Sequence, residues 1–180
     1  MKMIKIFLII SMSFLILGCS TKSDSNQSAD SKSQVPKTTV EWKSDGVVTE
    51  GEYIGKQTVG EIDVFTRVDG DVVMMALKAN TTAWLSIGID AEDKMKGADI
   101  LMFSVKDGKV EFSDMYSTGP FGPHPGDDKQ GGIADLSMVS GTQQNGVTII
   151  EFKRKLHTGD SKDKALKIGE NKVMWAIGDN

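Results

Sequence analysis

Short runs that alternate between apolar and polar residues fill most of the chain after Thr39. Within Glu61–Val68, for example, Ile62 and Val64 share one face, and Asp63 lies on the other. A period of two residues is typical of a strand that buries one face. No long stretch of this part has the 3.6-residue period of a helix. The pattern excludes a helical bundle and predicts an all-β fold.

Turn sequences join these runs into hairpins. Asp69-Gly70 connects 61–68 to 71–78, and Lys106–Lys109, which contains Asp107-Gly108, connects 99–105 to 110–116. Asp-Gly between two β-rich runs is a strong hairpin signal. Further strands are predicted at 83–89, 147–153 and 172–177. Strands at this spacing predict an antiparallel β-sandwich with immunoglobulin-like layering.

The residue counts exclude several kinds of site. The chain has 180 residues, enough for one compact domain. Its single cysteine excludes a disulfide framework, a thiolate zinc finger, an iron–sulfur cluster and covalent haem attachment. The two histidines exclude a site that needs three, and a formal net charge of -4 offers no electrostatic reason to expect nucleic acid as a partner.

The first eighteen residues have the parts of an export signal. Lys2 and Lys5 precede an almost wholly apolar run from Ile6 to Leu17, which is shorter than a membrane-spanning helix requires. Ile16-Leu17-Gly18-Cys19 resembles the lipobox of bacterial lipoproteins, which implies cleavage after residue 18 and lipidation (palmitate) of Cys19. The alternative is an ordinary secretory signal with a chance cysteine. The resemblance implies an extracytoplasmic protein anchored to a membrane of a bacterial cell envelope.

A polar linker and a single domain are expected to follow. Residues 19–38, after the lipidated cysteine, are rich in serine and contain no aromatic residue, so they cannot bury enough surface to offset the entropy of ordering them. We therefore predict a flexible linker over 19–38 and a β-sandwich over 39–180. The segment 118–132 contains three of the four prolines and several glycines, which predicts a long irregular loop.

Several short strings occur in an order that resembles the DOMON domain family, from about Trp42 to the last residue. The strings are Glu52-Tyr53, Gly70-Asp71, Trp84–Gly88, Met95–Ile100, Val105–Gly108, Asp114–Tyr116, Phe152–Arg154, Thr158–Asp160, Asp163 and Trp175–Gly178. The resemblance implies a β-sandwich that binds a small ligand, either b-type haem or a sugar, at one open end or face. In many relatives a histidine ligand follows the Trp-x-x-Gly strand, but this chain stops at Asn180. The resemblance leaves three alternatives: a domain that lacks its last strand, a domain without the family ligand, or a different histidine in its place.

The leading function that the resemblance implies is noncovalent binding of haem b for electron transfer with a redox partner. The resemblance places Met95 at the axial methionine, and His157 is the better substitute for the histidine, with His124 ranked below it. Arg154 is expected to pair either with a haem propionate or with a carboxylate such as Asp99 or Asp160, because its planar fork binds carboxylates bidentately. The alternatives are a carbohydrate or other small-ligand module in which Met95 only packs, and a structural or partner-binding domain.

Other chemistry finds little support in the residues. Acidic residues cluster at 90–93, 127–128 and 160–163, but none matches an EF-hand loop, and we expect Asp160 and Asp163 to cap a turn or short helix. We therefore predict no metal other than haem iron, with calcium binding and, below it, glycosidase chemistry as the alternatives for these carboxylates. Neither a nucleophile elbow nor a phosphate-binding loop is present, so we expect a binding module and not an enzyme. Most of the tryptophans and tyrosines are expected in the core.

Overall fold

Two five-stranded antiparallel sheets build the domain. A computed structural model describes residues 3–8 and 40–179. Its strands are β1 (Met3–Leu8), β2 (Gly55–Val59), β3 (Ile62–Asp69), β4 (Val72–Ala79), β5 (Leu85–Ile89), β6 (Asp99–Lys106), β7 (Lys109–Tyr116), β8 (Ser137–Gln144), β9 (Val147–Lys155) and β10 (Gly169–Ile177). Among the described residues the only helical element is a 3₁₀ turn at Asp127–Lys129. The predicted all-β sandwich is confirmed.

The strand order combines hairpins with longer connections. Sheet A has the order β1-β10-β5-β6-β7, and sheet B has the order β2-β3-β4-β9-β8. The β3–β4 and β6–β7 hairpins form where the Asp-Gly turns predict them, with Val68 opposite Val73 and Val105 opposite Val110. Non-consecutive strands such as β4 and β9 are also neighbours, so pairing between distant segments completes both sheets.

The main core lies between the two sheets. Alternate residues of the central strands supply it, for example Leu101 and Phe103 from β6 and Ile150 and Phe152 from β9. The rings of Phe103 and Phe152 stack across the interface with centroids 5.0 Å apart. Burial of such side chains contributes about 1.5–3 kcal/mol each, which makes this layer the main source of stability.

Two details differ from the expectations. Strands β2 and β8 were not predicted, because both are polar strands at the edges of sheet B, and pairing with β3 and β9 orders them. The prediction that most tryptophans and tyrosines lie in the core was wrong. Trp84 is exposed, and the others are half-buried: Trp42, Tyr53, Tyr116 and Trp175.

The N-terminal predictions fall largely outside the described residues. Cys19 and the linker 19–38 lie outside them, so their lipidation and flexibility stay predictions. Within the predicted signal, β1 pairs with β10, with Met3 opposite Met174 and Leu8 opposite Gly169. In residues 3–8 and 40–179 no helix has the length and apolar character needed to cross a membrane.

Candidate functional site

A methionine-rich cluster lies on the outer face of sheet A, with Ile100, Met115 and Met174 buried and Met95 and Met102 half-buried. Leu101 belongs to the main core, so its neighbour Ile100 points to the opposite face of the sheet. Register places Ile100 in line with Gly88 and Met174 on one side and with Met115 on the other. We call this cluster the methionine patch; its members are Met95, Ile100, Met102, Met115 and Met174.

Two loops meet over the methionine patch. The loop 90–98 follows β5, and the segment 117–126 follows β7. The Met95 amide donates to the Pro120 carbonyl at 3.2 Å, and the Ser117 amide donates to the Ala98 carbonyl at 2.9 Å. Met95 itself is half-buried. The Phe121 ring is 76% exposed, and the Lys94 ammonium lies 4.0 Å from its centroid. The loops therefore hold a thioether beside an exposed ring.

The two histidines have different surroundings. His124 lies on the same loop as Phe121, is half-buried, and has its Nδ1 3.1 Å from the Ser117 hydroxyl. His157 is exposed, and it follows β9 of the other sheet. Among the described residues, no hydrogen bond or ion pair joins His157 to the Met95 loop. The structure thus brings Met95 together with the loop of His124, while the pairing of Met95 with His157 stays a prediction.

Arg154 crosses the interior from sheet B to sheet A. Its Nη1 lies 2.9 Å from Asp99 Oδ2, its Nη2 lies 3.4 Å from Asp163 Oδ2, and both of these ion pairs are buried. Nη2 also donates to the Lys164 carbonyl at 3.2 Å. We predicted two roles for Arg154, a bond to a haem propionate or a bond to a carboxylate. Among the described residues Arg154 forms the ion pair with Asp99.

Further aspartates converge on this ion pair. Asp99 and Asp114 project from β6 and β7, and one oxygen each of Asp99, Asp114 and Asp163 lie within 4.8 Å of one another. Asp127 and Asp135 come from the loop after β7, and their carboxylates interact electrostatically with Asp163. We call these five residues the aspartate cluster. It offers carboxylate oxygens at the end of the sandwich where both sheets and two long loops meet.

Burial and mutual repulsion disfavour the charged forms of these carboxyls. Burial, followed by the negative charge of Asp99, raises the pKa of Asp114 to about 7. Burial, followed by the charge of Asp163, raises the pKa of Asp127 to about 7. Burial also raises the pKa of Asp99, although Arg154 opposes that shift. If all five carboxyls were ionised, they would carry more negative charge than the one guanidinium of Arg154 balances.

Sequence reasoning missed this cluster. We predicted that both Asp160 and Asp163 cap a turn, but only Asp160 does so, accepting the amides of Lys162 at 2.8 Å and Ile133 at 2.7 Å. Asp163 instead points to Arg154 with a side chain that is 2% exposed. The five aspartates are far apart in sequence, so the spacing of acidic residues gave no signal of their meeting.

A groove lies on the outer face of sheet B. Its volume is about 350 Å³. Phe65 and Tyr53 contribute its aromatic surface, with ring centroids 5.9 Å apart. The Tyr53 hydroxyl donates to Glu151 Oε1 at 2.6 Å and accepts from the Trp42 indole at 2.8 Å, which fixes its ring. The full lining is Val48, Thr49, Glu50, Gly51, Tyr53, Ile54, Gly55, Lys56, Phe65 and Lys78.

Comparison with known proteins identifies the family. The DOMON domain model matches residues 58–178. The chain is 26% identical over 108 residues to MOXD1 homolog 1 of Drosophila melanogaster, covering 60% of this chain and 16% of that protein. It is 31% identical over 107 residues to DBH-like monooxygenase protein 1 of Mus musculus, and 30% identical to the Homo sapiens protein, covering 59% of this chain and 17% of each relative. The chain thus spans about a sixth of the length of these relatives, and the match over 58–178 shows that it belongs to the DOMON domain family.

Proposed function

We propose that this DOMON domain binds b-type haem noncovalently and passes single electrons, with Met95 as one axial ligand. The observation that carries the proposal is the position of Met95, half-buried on the methionine patch and held by a loop that is hydrogen-bonded to Pro120. Thioether sulfur is a soft ligand suited to haem iron. The apolar side chains around it can exclude water from a bound macrocycle.

The neighbouring residues fit such a group. His124 approaches the Ser117 hydroxyl through Nδ1, an arrangement that in metal sites orients the imidazole and leaves Nε2 for the metal. We therefore place His124 ahead of His157 as the second axial ligand. The exposed ring of Phe121 offers a surface for the flat face of a macrocycle.

The remaining roles follow from charge and ligand type. Arg154 is already bound to Asp99 and Asp163, so exposed Lys94 and Lys96 are better placed to pair with propionates. Haem with one histidine and one methionine ligand has a raised reduction potential and serves electron transfer. We propose a binding module without catalysis of its own; the monooxygenase named among the relatives is 31% identical to this chain over 107 residues, which are 17% of that protein.

A reconstitution experiment tests this proposal. The purified protein is titrated with haemin, reduced and oxidised spectra are recorded, and Met95→Leu is compared with Met138→Leu, whose methionine is 53% exposed on β8. We expect saturable binding with a sharp Soret band, loss of the low-spin spectrum in Met95→Leu, and an unchanged spectrum in Met138→Leu. A wild-type protein that binds no haem, or a Met95→Leu spectrum like that of wild type, would contradict the proposal.

The same titration separates the histidines. We expect His124→Ala to lose the low-spin spectrum and His157→Ala to keep it, because only His124 lies on the loop that contacts Met95. The reverse result would assign the ligand to His157, the residue that we predicted from the sequence.

The groove of Tyr53 and Phe65 favours a second candidate, a carbohydrate or other small polar ligand. Its volume of about 350 Å³ lies within the range of small-molecule sites, and it combines aromatic surface with the charged residues Lys56 and Lys78. A glycan-array screen followed by calorimetry tests this. Phe65→Ala should abolish binding. Trp84 is an exposed aromatic residue outside the groove, so Trp84→Ala should bind like wild type. Absence of binding by the wild-type protein would reject this candidate.

We also propose that a lipid on Cys19 holds the domain at a membrane of the cell envelope. Each acyl methylene that enters a bilayer contributes about 0.8 kcal/mol, and stable anchoring takes more than one chain. Mass spectrometry of the purified N-terminal peptide should show acyl groups on Cys19. Cys19→Ser should move the protein from the membrane fraction to the soluble fraction, and an unmodified cysteine in membrane-bound wild type would contradict the assignment.

A further inference from the structure

We propose that the methionine patch is a binding site for a monovalent copper ion, Cu(I), held by the thioether sulfurs of Met95, Met102 and Met115. This occupant is distinct from the haem and the sugar of the proposed function, and the inference depends on neither of them. The haem proposal uses the sulfur of Met95 alone, so it leaves three of the four thioethers of the patch without a role.

The first reason is the uneven distribution of methionine between the two apolar clusters. Among the described residues, the main core has 24 buried or half-buried apolar side chains, and one of them, Met75, is methionine. The cluster on the outer face of sheet A has seven such side chains, of which four are methionine and none is leucine, valine or phenylalanine. Packing alone gives no reason for this difference, since leucine and isoleucine fill a core with better-defined rotamers.

The second reason is the arrangement of three of these thioethers. Met102 lies on β6 opposite Ser113, and Ile100 lies opposite Met115 of β7, so Met102 and Met115 are diagonal neighbours on one face of the sheet. Diagonal neighbours are about 7–8 Å apart at the backbone, within reach of long side chains. Met95 packs against the same cluster from the loop above it. Two strands and one loop thus deliver three flexible thioethers to a single cluster.

The third reason is access combined with support. Met115 is buried, whereas Met95 and Met102 are half-buried, so an ion can enter from solvent at those two sulfurs. The loop that carries Met95 is fixed, because the Met95 amide donates to the Pro120 carbonyl at 3.2 Å and the Met95 carbonyl accepts the Ala98 amide at 3.0 Å. A fixed loop holds its thioether over the sheet before the ion arrives, which reduces the entropy lost on binding.

The donor set selects the ion. Thioether sulfur is a soft ligand, and soft sulfur ligands favour Cu(I), whereas calcium and magnesium prefer oxygen. Thioethers are also uncharged and do not neutralise a bound cation. Because burial of unbalanced charge is costly, a monovalent ion is favoured over a divalent one. Ag⁺ has the same charge and is likewise a soft ion, so it serves as a redox-stable probe of the same site.

The experiment uses the haem-free full chain with Cys19→Ser in every protein, because a free thiol would itself bind Cu(I). Cu(I) is titrated without oxygen against a chromogenic chelator, which gives the stoichiometry and the affinity. Met102→Leu and Met95→Leu are the test variants, since leucine keeps a similar apolar volume and removes the sulfur. Met75→Leu, in the main core, is the matched control.

We expect one Cu(I) per chain. Binding should be at least about tenfold weaker in Met102→Leu and in Met95→Leu, since loss of a supporting group alone weakens metal binding by that much, and unchanged in Met75→Leu. In protein labelled at the methionine methyl carbons, NMR should show that Ag⁺ shifts the signals of the three ligand methionines. The signal of Met138, which is 53% exposed on β8, should stay in place.

Three results would overturn the proposal: absence of saturable Cu(I) binding, equal weakening by Met102→Leu and Met75→Leu, or Ag⁺ shifts of equal size at all methionine methyls. The NMR measurement needs no variant of the patch, so it decides even where a substitution impairs folding. The haem titration is a separate measurement. A protein that binds no haem leaves the Cu(I) result intact, and a protein that binds haem but no Cu(I) retains only the haem proposal.

Discussion

Gly60 occupies a position that tolerates no side chain. It lies in the two-residue turn between β2 and β3 with φ of +62°, and a Cβ added there would lie 1.8 Å from the Trp175 ring. Gly70, between β3 and β4, has the same φ of +62° but open space where a Cβ would stand. The two glycines therefore separate the effect of backbone strain from that of side-chain collision.

Replacing each glycine by alanine tests this difference. Gly70→Ala should lose about 1–2 kcal/mol of the free energy of unfolding, the strain of a left-handed residue with a Cβ. Gly60→Ala should lose that amount and about 1–3 kcal/mol more, because Trp175 must leave its place. Urea denaturation measures both. Equal losses would show that Trp175 moves aside without penalty.

Arg154 holds the two sheets together at the aspartate cluster, and its removal should be costly. Arg154→Met leaves Asp99 and Asp163 buried without their guanidinium, which should reduce the free energy of unfolding by about 3–5 kcal/mol. In the double variant Asp99→Asn/Arg154→Met the charge of Asp99 is also gone, so part of the loss should be recovered. Urea denaturation of both proteins measures this, and a double variant less stable than Arg154→Met would contradict the ion-pair interpretation.

At the scale of elements, the predictability of a strand follows its environment. β3 and β4 were found from the sequence because their alternation and the Asp69-Gly70 turn are local signals. β2 and β8 were missed because their residues are polar and partly exposed, and only pairing with β3 and β9 makes them strands. The aspartate cluster was missed for the same reason. Its members meet only after both sheets have formed, so no spacing along the chain records it.

A surface interaction between β2 and β3 gives a pH dependence whose sign can be worked out. Asp63 accepts from the Thr58 hydroxyl at 2.6 Å and lies 3.0 Å from the Lys56 ammonium. The Thr58 hydrogen bond, followed by Lys56, lowers the pKa of Asp63 below its ordinary value of 3.8. A lowered pKa in the folded state stabilises the protein above the unfolded-state value, and that stabilisation is lost as the pH falls through the folded-state value.

Asp63→Asn should therefore reduce stability at pH 7 by about 0.3–1 kcal/mol, a range set by the partial exposure of this pair. The difference from wild type should vanish as the pH falls below 3.8 towards the folded-state pKa of Asp63. Urea denaturation at a series of pH values measures it. Thr58→Val is the companion variant: it keeps the charge of Asp63 and should raise the pKa of that carboxyl, which NMR measures. A stability difference between Asp63→Asn and wild type that stays constant with pH would contradict the assignment.

At the scale of the whole molecule, β1 lies at an edge of the fold. It pairs with β10 at the edge of sheet A and also approaches β2 of sheet B, and the buried apolar residues that the structure describes lie from Val59 to Met174. The sequence predicts that residues 1–18 are an export signal removed during maturation. Removal of β1 would leave the pairing of the other four strands of sheet A in place and would expose the backbone edge of β10.

A protein that begins at Ser20 tests whether the sandwich is complete without β1. Because the core residues that the structure describes lie from Val59 onward, we expect it to keep the β-sheet circular dichroism and a single cooperative unfolding transition, with a stability within about 2 kcal/mol of the full chain. Removing β1 also leaves the β10 edge unpaired, so hydrogen exchange should become faster at amides of β10 while those of β4 and β9 stay protected. Loss of cooperative unfolding would mean that β1 is an integral strand, and the predicted cleavage after residue 18 would then be wrong.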